Sequence, residues 1–319
     1  MIDTSTIAEP VPLPTAPAGW FDYAYAALAD GRLAIGRTRR DVHAEYRRER
    51  AWGEQGIATL RRPQVWPDQL RLSIFDGERE SDVTAVPSGF LPEFDRMPDG
   101  RWLVASSRAA AGERNGRIYA PDGSEEAALV LGDAIEHLYC APDGTIWVGY
   151  FDEGIFGLSN PDGSWPVSGG GIVQLERSGA VRWSFNQQVD PSQMVHDCYA
   201  LTLAGSVPWA YYYSDFPIVR IDGRRFRTWS NELLGAKAIA IGGDLILLAG
   251  GYNEDAGRIA LVRLEGDDSH HIGSLRFTPP PRGEPGLVQG RDSRLHVVSG
   301  GIWTRLSVNR AAQVIGYRF

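Results

Sequence analysis

The sequence predicts an all-β protein that folds as a six-bladed β-propeller. First, its 37 Gly, 20 Pro, 10 Trp, 12 Tyr and 11 Phe are typical of many turns joined by strands. Second, a strand-turn-strand unit recurs six times along the chain. Third, further strand candidates follow these units. A four-stranded sheet leaves edges and a face unburied, so six such units become stable when they close around an axis.

The clearest copy of the unit is IEHLYC, APDG and TIWVGY, a strand, a turn and a second strand at 135–150. The other copies are FDYAYAALADGRLAIG at 21–36, GFLPEFDRMPDGRWLVAS at 89–106, HDCYALTLAGSVPWAYYY at 196–213, AKAIAIGGDLILLAGG at 236–251 and GLVQGRDSRLHVVSGG at 286–301. Their spacing is irregular but centres on the roughly 40–50 residues of a four-stranded blade.

Third and fourth strands are predicted between these units, where two apolar runs flank a D-G or S-G type turn. Examples are LRLSIFDG, GRIYAPDGSEEAALVL, GIVQLERSGAVRWSF, PIVRIDGRRFRTW and RIALVRLEGDDSHHIGSL. The last blade is completed either by the C-terminal QVIGYRF or by a strand from 11–28. The sequence leaves both closures open.

We expect one domain over 1–319 with a charged insertion at about 37–66. This insertion carries eight Arg against four acidic residues, which favours a solvated helix with paired charges over a basic lid on the propeller. A seventh blade is the alternative architecture, if the insertion contains an additional sheet.

Charge and composition exclude several classes of protein. The chain has 40 acidic and 32 basic residues, a net charge of -8 and a pI near 5.3, which argues against nucleic acid or anionic membrane as a partner. The two cysteines, Cys140 and Cys198, have no spacing for zinc or redox work and are expected to be buried thiols. The N-terminus has no signal-peptide pattern, which predicts a cytoplasmic location.

The D-G-x-h-W-V-G pattern of Asp143, Gly144, Ile146, Trp147, Val148 and Gly149 resembles propellers of the NHL, two-component-regulator and SMP-30/gluconolactonase kind. GYFDEGIFG, DCYAL and YYYSDFPIVRI are also similar to a group of uncharacterised bacterial propeller proteins. The resemblance implies the fold. It does not imply lactonase activity, because the N-terminal E-G-P-x-W-type signature of the gluconolactonase-like metal site is absent.

Candidate site residues follow from the propeller geometry, in which the first strand of each blade lines the central channel. Alignment of the units on their turns brings acids and imidazoles of three adjacent blades to one level. They are Glu93 and Asp95 of blade two, Glu136 and His137 of blade three, and His196, Asp197 and Cys198 of blade four. Because neighbouring residues on a strand point to opposite faces, only one of His196 and Asp197 is expected to face the channel.

A second group of candidates lies at the ends of the second strands. Carboxylates are predicted there on blades three and four, and guanidinium groups on blades one and two. The group comprises Asp152, Glu153, Asp215, Arg108, Arg39, Tyr150 and Tyr213. Such a division of charge would orient a polar or zwitterionic ligand.

Three chemistries fit these residues. Converging carboxylates and imidazoles could hold a divalent metal such as Ca or Zn. A histidine, His137 or His196, could serve as general base beside a carboxylate. The third alternative is structural, in which the charged side chains clamp neighbouring blades together.

The function predicted from the sequence is that of a binding module. Its funnel mouth would recognise a polar small molecule or a protein or peptide partner. The alternative is a metal-assisted hydrolase or lyase that uses Glu136, His137, His196, Asp197 and Asp152 as catalytic or ligating groups. Propellers host both kinds of activity, so the fold does not choose between them.

Overall fold

The computed structural model describes residues 2–3, 10–53, 69–89, 91–157, 159–160 and 162–318. Its strands form six sheets around one axis, each with four antiparallel strands, and one sheet has a fifth, parallel strand. This confirms the six-bladed β-propeller. The described residues contain no seventh sheet, so the seven-bladed alternative is wrong.

The strands follow one another in blade order. Strands β1 (Ile2–Asp3) and β2 (Val11–Pro12) precede the first blade. Blade one comprises β3 (Phe21–Ala27), β4 (Leu33–Thr38), β5 (Gln69–Phe75) and β6 (Glu80–Pro87). Blade two comprises β7 (Pro92–Arg96), β8 (Trp102–Ser106), β9 (Gly116–Tyr119) and β10 (Glu125–Leu129). Blade three comprises β11 (Ile135–Cys140), β12 (Ile146–Tyr150), β13 (Ile172–Leu175) and β14 (Val181–Ser184).

The second half of the chain repeats this plan. Blade four comprises β15 (Asp197–Ala204), β16 (Val207–Tyr213), β17 (Ile218–Asp222) and β18 (Arg225–Trp229). Blade five comprises β19 (Ala236–Gly242), β20 (Leu245–Gly250), β21 (Arg258–Glu265) and β22 (Asp268–Arg276), with β1 parallel to β22. Blade six comprises β23 (Leu287–Arg291), β24 (Arg294–Ser299), β25 (Ile302–Ser307) and, from the N-terminal region, β2.

The D-G turns form because an aspartate side chain replaces backbone partners in the hairpin. In blade three, Asp143 Oδ1 accepts hydrogen bonds from the Thr145 amide at 3.0 Å and the Thr145 hydroxyl at 2.7 Å. Gly144 has φ +82°, a left-handed conformation that other residues adopt only with strain. The turn thereby fixes the register of the first two strands of the blade.

The core lies between the blades. Five clusters of buried apolar side chains fill the successive interfaces around the ring, from blades one and two to blades six and one. At one interface Phe94 and Trp102 pack edge to face at 6.4 Å, and at another Phe75 lies 5.9 Å from Trp303. Large aromatic rings bury much apolar surface, so each interface stabilises the closed ring rather than a single sheet.

The ring is closed by the N-terminal region. Val11 of β2 pairs with Trp303 of β25, and the Leu13 amide donates a hydrogen bond to Gly301 O at 2.9 Å. Of the two closures that the sequence left open, the structure therefore has the N-terminal one. Most of the C-terminal segment is instead the helix α3 (Val308–Ile315), capped by the Ser307 hydroxyl.

The predicted insertion contains a helix, α1 (Val42–Gly53), which follows β4 of blade one in the chain. The Asp41 carboxylate accepts the Ala44 amide at 2.8 Å, and Arg40 pairs with Glu45 at 2.6 Å. The rest of the predicted insertion, 54–66, lies outside the described residues. No helix in the described part of the chain has the length and apolar character that crossing a membrane requires.

Candidate functional site

The first strand of every blade lines the axis. These inner strands, β3, β7, β11, β15, β19 and β23, contact one another in sequence around the ring. They all begin at the same end of the propeller, where the second strands of the blades also end. We call this end the mouth and the opposite end the floor.

The floor is closed by an ion pair that crosses the axis. Arg291 of blade six donates to Asp95 of blade two at 3.0 Å, and both side chains are at most 3% exposed. The same guanidinium donates to Cys140 O at 3.2 Å and lies 4.8 Å from the centroid of the Tyr139 ring, both on blade three. Burial raises the pKa of the Asp95 carboxyl, and Arg291 opposes that rise. Three blades thus meet in the middle of the channel.

Further hydrogen bonds complete the floor. Gln289 donates to the Tyr139 hydroxyl at 3.1 Å and accepts the Ala27 amide at 2.6 Å. The Thr202 hydroxyl donates to Gly290 O at 3.0 Å. Gly290 itself permits a close approach between blades, because a Cβ there would lie 1.7 Å from Ile239 O. These contacts between described residues close the channel at the floor, so we call the part above them, toward the mouth, the funnel.

Charged side chains face the funnel between floor and mouth. They are Glu93 of β7, Glu136 of β11, Asp197 of β15 and Lys237 of β19, on four successive blades. Three of these inner strands have a β-bulge at this level, between Ile135 and His137, Asp197 and Ala200, and Ala236 and Ala238. A bulge inserts an extra residue and redirects its side chain.

The pairing of the three funnel carboxyl groups differs from that of Asp22 on blade one. Among the described residues, no hydrogen bond or ion pair reaches the side chain of Glu93, Glu136 or Asp197. Asp22 of blade one differs, because its carboxylate is bound to Arg37 at 2.6 Å and to the Tyr25 hydroxyl at 3.0 Å. Among the described residues, the carboxyl groups that the funnel offers on blades two to four are thus unpaired.

Burial without partners changes the pKa of each funnel carboxyl. Burial, together with the charge of Glu136, raises the pKa of Glu93 to about 8. Desolvation by the surrounding strands also raises the pKa of Glu136, although the residue is exposed toward the funnel, and Lys237 partly offsets the rise. The pKa of Asp197 is raised to about 6, first by burial and also by Glu136 and Asp152. Only Glu93 has no cation among the groups that influence its pKa.

Lys237 is the only lysine of a chain with 32 basic residues. Its Nζ lies 3.8 Å from the centroid of the Tyr199 ring, a cation-π contact, and the Tyr199 hydroxyl lies 2.7 Å from that of Tyr252. Its charge lowers the pKa of Asp197 and Glu136. The funnel wall therefore already holds one ammonium group between aromatic and anionic neighbours.

The two predicted histidines lie in different surroundings. His137 Nε2 lies 3.2 Å from Cys198 O, and burial, followed by the charge of Lys237, lowers the pKa of His137 to about 4. His137 is therefore a neutral imidazole at physiological pH. His196 precedes β15 rather than lying in it, so the predicted alternation with Asp197 does not apply; its ring lies 5.3 Å from that of Phe156.

Asp152 and Glu153 do not end a strand as predicted. Strand β12 stops at Tyr150, and the two acids begin a short helix, α2 (Asp152–Ile155). Glu153 pairs with Arg108 at 2.5 Å, and Arg108 also pairs with Asp133 at 3.0 Å. This network links blades two and three at the mouth, as a structural clamp would.

The remaining predicted residues lie apart from the funnel carboxylates. Tyr150 is fully buried and donates its hydroxyl to Leu131 O at 2.5 Å, so it has no surface to offer a ligand. The Arg39 guanidinium stacks over Trp20 at 4.3 Å. Asp215 is exposed in a turn with φ +59°, and Tyr213, 48% exposed, lies at the mouth.

The structure places several of the candidate residues close together. The structure brings Glu93, Glu136, His137 and Asp197 together in the funnel, and Arg108 with Glu153 at its edge. Sequence reasoning missed Lys237, Tyr199 and Arg291. The signal for Lys237 was available, because a single lysine in an arginine-rich chain is conspicuous.

Metal binding finds no support in this geometry. The described part of the chain contains no group of three or more His, Cys, Asp or Glu side chains placed to hold a metal ion. Cys140 and Cys198 are both buried free thiols. The donors that the funnel offers are separate carboxylates beside an ammonium group, which suit a ligand with several hydrogen-bond donors better than one ion.

Comparison with known proteins finds a family match over part of the chain and solved structures of low similarity. The YxzG family matches residues 179–259, about a quarter of the chain, which include Asp197, Tyr199 and Lys237. No curated protein matches the sequence. The resemblance to NHL, two-component-regulator and SMP-30/gluconolactonase propellers stays a prediction.

Several solved structures are similar to the chain at low sequence identity. The Cps50 (Swd1) β-propeller domain of Myceliophteria thermophila is 12% identical, with a TM-score of 0.49, over 92% of this chain and 99% of that one. YCF48 bound to D1 peptide is 14% identical, with a TM-score of 0.42, over 94% and 97%. AztD of Citrobacter koseri is 12% identical, with a TM-score of 0.40, over 74% and 64%, so the match spans just under two thirds of AztD.

Proposed function

We propose that this propeller is a binding module whose funnel accepts a positively charged group between Glu93 and Glu136. The observation that carries the proposal is the enclosed Glu93 carboxyl, which faces the funnel and has no hydrogen-bond or ion-pair partner among the described residues. Because no cation lies beside it, the pKa of Glu93 is raised to about 8, so the group is largely protonated near pH 7; a cation bound beside it would stabilise the carboxylate and lower that pKa. A cationic ligand would supply the missing partner.

The closed floor supports a ligand that enters from the mouth and stops above the floor. Asp95 follows Glu93 by two residues on β7, so the Arg291–Asp95 pair lies about 7 Å deeper along the strand. Arg291 already neutralises the charge of Asp95 at that depth. Lys237 is close to Glu136 and Asp197 but leaves Glu93 uncompensated. Glu93 is therefore the funnel carboxyl that a cationic ligand would pair with.

The alternative from the sequence, a metal-assisted hydrolase or lyase, is less well supported. His137 is occupied with Cys198 O, and His196 lies among aromatic rings at the mouth rather than beside Glu93. No described set of donors is placed for a metal. We therefore assign the funnel to binding.

Calorimetric titration with small ions tests the proposal. Methylguanidinium and n-butylammonium should bind to the folded protein at least tenfold more tightly than butyrate or 1-butanol. Glu93→Gln and Glu136→Gln should each weaken cation binding about tenfold or more, since each removes one charge-assisted contact. Glu176→Gln is the matched control, because Glu176 lies at an exposed outer turn beside Arg182.

Lys237 provides a second, independent measurement. Reductive ¹³C-methylation labels one lysine side chain, and a bound cation beside Glu93 and Glu136 should shift its NMR signal in a saturable way. Replacement by Met should strengthen cation binding, because one repulsive charge is removed. Equal affinity for cations and butyrate, or weaker cation binding by Lys237→Met, would show that the funnel is not a cation site.

A further inference from the structure

Exposed aromatic and apolar side chains surround the funnel mouth. Each of blades one to five contributes at least one large hydrophobic side chain that is more than 40% exposed at an inner-strand start or beyond a second-strand end: Phe21, Leu91, Phe156, Tyr213, Leu234 and Tyr252. Isolated exposed hydrophobic residues are ordinary, but a continuous exposed apolar surface around a polar centre is typical of an interaction site.

On blades three to five the rings form one connected series of contacts, in which Phe216, buried at 6% exposure, links the exposed rings of Tyr213 and Tyr252. Successive centroids lie 5.3 Å (Phe156 to His196), 6.4 Å (His196 to Tyr213), 5.6 Å (Tyr213 to Phe216), 6.2 Å (Phe216 to Tyr252) and 6.2 Å (Tyr252 to Tyr199) apart. We call these six residues the aromatic arc. Its last member, Tyr199, contacts Lys237, so the arc runs from the exposed mouth down to the charged funnel wall.

We infer that the mouth binds a polypeptide that inserts one Arg or Lys side chain into the funnel while its neighbouring apolar residues pack on the aromatic arc. The inference rests on the proposed cation site and adds the kind of molecule that carries the cation. Charge complementarity selects the inserted residue, since the funnel presents Glu93, Glu136 and Asp197 against one Lys237. The aromatic arc selects apolar residues on either side of the inserted Arg or Lys.

The chemistry of basic side chains matches this arrangement. Arg and Lys carry their charge at the end of an apolar stem, which allows the charge to reach a deep carboxylate while the stem lies against aromatic rings. The contact between Lys237 and Tyr199 shows that the wall already stabilises a lysine ammonium in this way. A small free amine would use the carboxylates but leave Phe156, Tyr213 and Tyr252 exposed. Tyr and Phe are among the residues that most often anchor interfaces between proteins.

Two capped probes separate the inference from the cation site on which it rests. The first is Nα-acetyl-arginine methylamide, which has the charge alone, and the second is acetyl-Leu-Phe-Arg-Phe-Leu-amide, which adds apolar neighbours. By calorimetry the pentapeptide should bind at least tenfold more tightly than the single residue. Acetyl-Ser-Ser-Arg-Ser-Ser-amide should bind no more tightly than the single residue.

Variants of the arc provide the decisive comparison. Phe156→Ser and Tyr213→Ser should each reduce the affinity for the apolar pentapeptide at least fivefold and leave that for acetyl-arginine methylamide unchanged. Val181→Ser is the matched control. Val181 is 49% exposed in the outer strand of blade three, away from the mouth, so its replacement should alter neither affinity.

The possible failures are distinct. If acetyl-arginine methylamide binds but the apolar pentapeptide binds no more tightly, or if the arc variants bind the pentapeptide normally, the polypeptide inference is wrong and the cation site stands. If neither probe binds to the folded protein, the proposed function and the inference both fail. Circular dichroism of each variant checks that the propeller is folded.

Discussion

Arg291 reaches across the propeller axis to Asp95 and ends the channel there. The two side chains are 3.0 Å apart and at most 3% exposed, and they belong to blades that are not neighbours in the ring. A buried ion pair gains little net energy over an apolar pair, but loss of one partner leaves an uncompensated charge. The pair therefore makes the floor sensitive to single substitutions.

We expect Arg291→Met or Asp95→Asn to lower the free energy of unfolding by about 3–5 kcal/mol each. The double variant should lose much less than the sum, because no charge is left unpaired. Urea unfolding measures both. Arg32→Met is the control, since the Arg32–Asp30 pair is 36% and 48% exposed and should contribute below about 1 kcal/mol. Additive losses in the double variant would show that the two charges do not act as a pair.

The sequence predicted the fold because the hairpin turns of the blades are formed by contacts between residues that are close together in the chain. Asp143 and Gly144 form their turn from contacts within four residues, and the same chemistry recurs in other blades. Ring closure could not be predicted in this way. Strand β2 has only two residues, Val11 and Pro12, too few for any periodicity.

The site was predictable only in part, for a physical reason. Glu93 lies on β7, which pairs with β8 without a register shift, so its level in the channel follows from residue counting. Lys237 reaches the funnel at a β-bulge, and Arg291 acts across the axis on Asp95. Neither a bulge nor a contact between distant blades leaves a periodic signal. Tyr150 failed as a candidate because its side chain lies in the core rather than toward the mouth.

The contribution of the N-terminal strand β2 to stability should be measurable by deleting the strand and adding it back as a peptide. Removal of residues 1–13 deletes β2 and the Leu13–Gly301 hydrogen bond, which exposes the edge of β25 and part of Trp303, and it also deletes β1, which pairs with β22. We expect a loss of at least about 2 kcal/mol, the value of one or two apolar side chains, seen as a lower melting temperature. A peptide of residues 10–16 added in trans should restore part of it, and a scrambled peptide should not. An unchanged melting temperature would show that β2 does not stabilise the ring.

The funnel carboxylates should make the protein less stable at alkaline pH. The pKa of Glu93 is about 8 in the folded protein against 4.5 for an ordinary Glu, so its penalty is absent below pH 4.5 and grows as the pH rises to 8. At about 1.4 kcal/mol per unit the limit is about 5 kcal/mol, which funnel water reduces. Glu93→Gln should therefore stabilise the protein by about 2 kcal/mol or more at pH 8.5 and hardly at pH 4.5, measured by urea unfolding. Equal gains at both pH values would exclude ionisation as the cause.

His296 of blade six should produce the opposite dependence. It is 1% exposed, stacks on Trp303 at 5.8 Å, and neither ring nitrogen has a hydrogen-bond partner among the described residues. Burial, followed by nearby arginines, lowers the pKa of His296 from 6.5 to about 3. As the pH falls, His296 is protonated in the unfolded chain before it is protonated in the folded protein. The contribution of neutral His296 to the free energy of unfolding is therefore complete above pH 6.5 and is lost as the pH falls toward 3. His296→Phe should stabilise the protein by about 2–3 kcal/mol more at pH 4.5 than at pH 7.5 in urea unfolding. The exposed His270→Phe should show no such difference, and a pH-independent effect of His296→Phe would mean that packing, not protonation, governs the site.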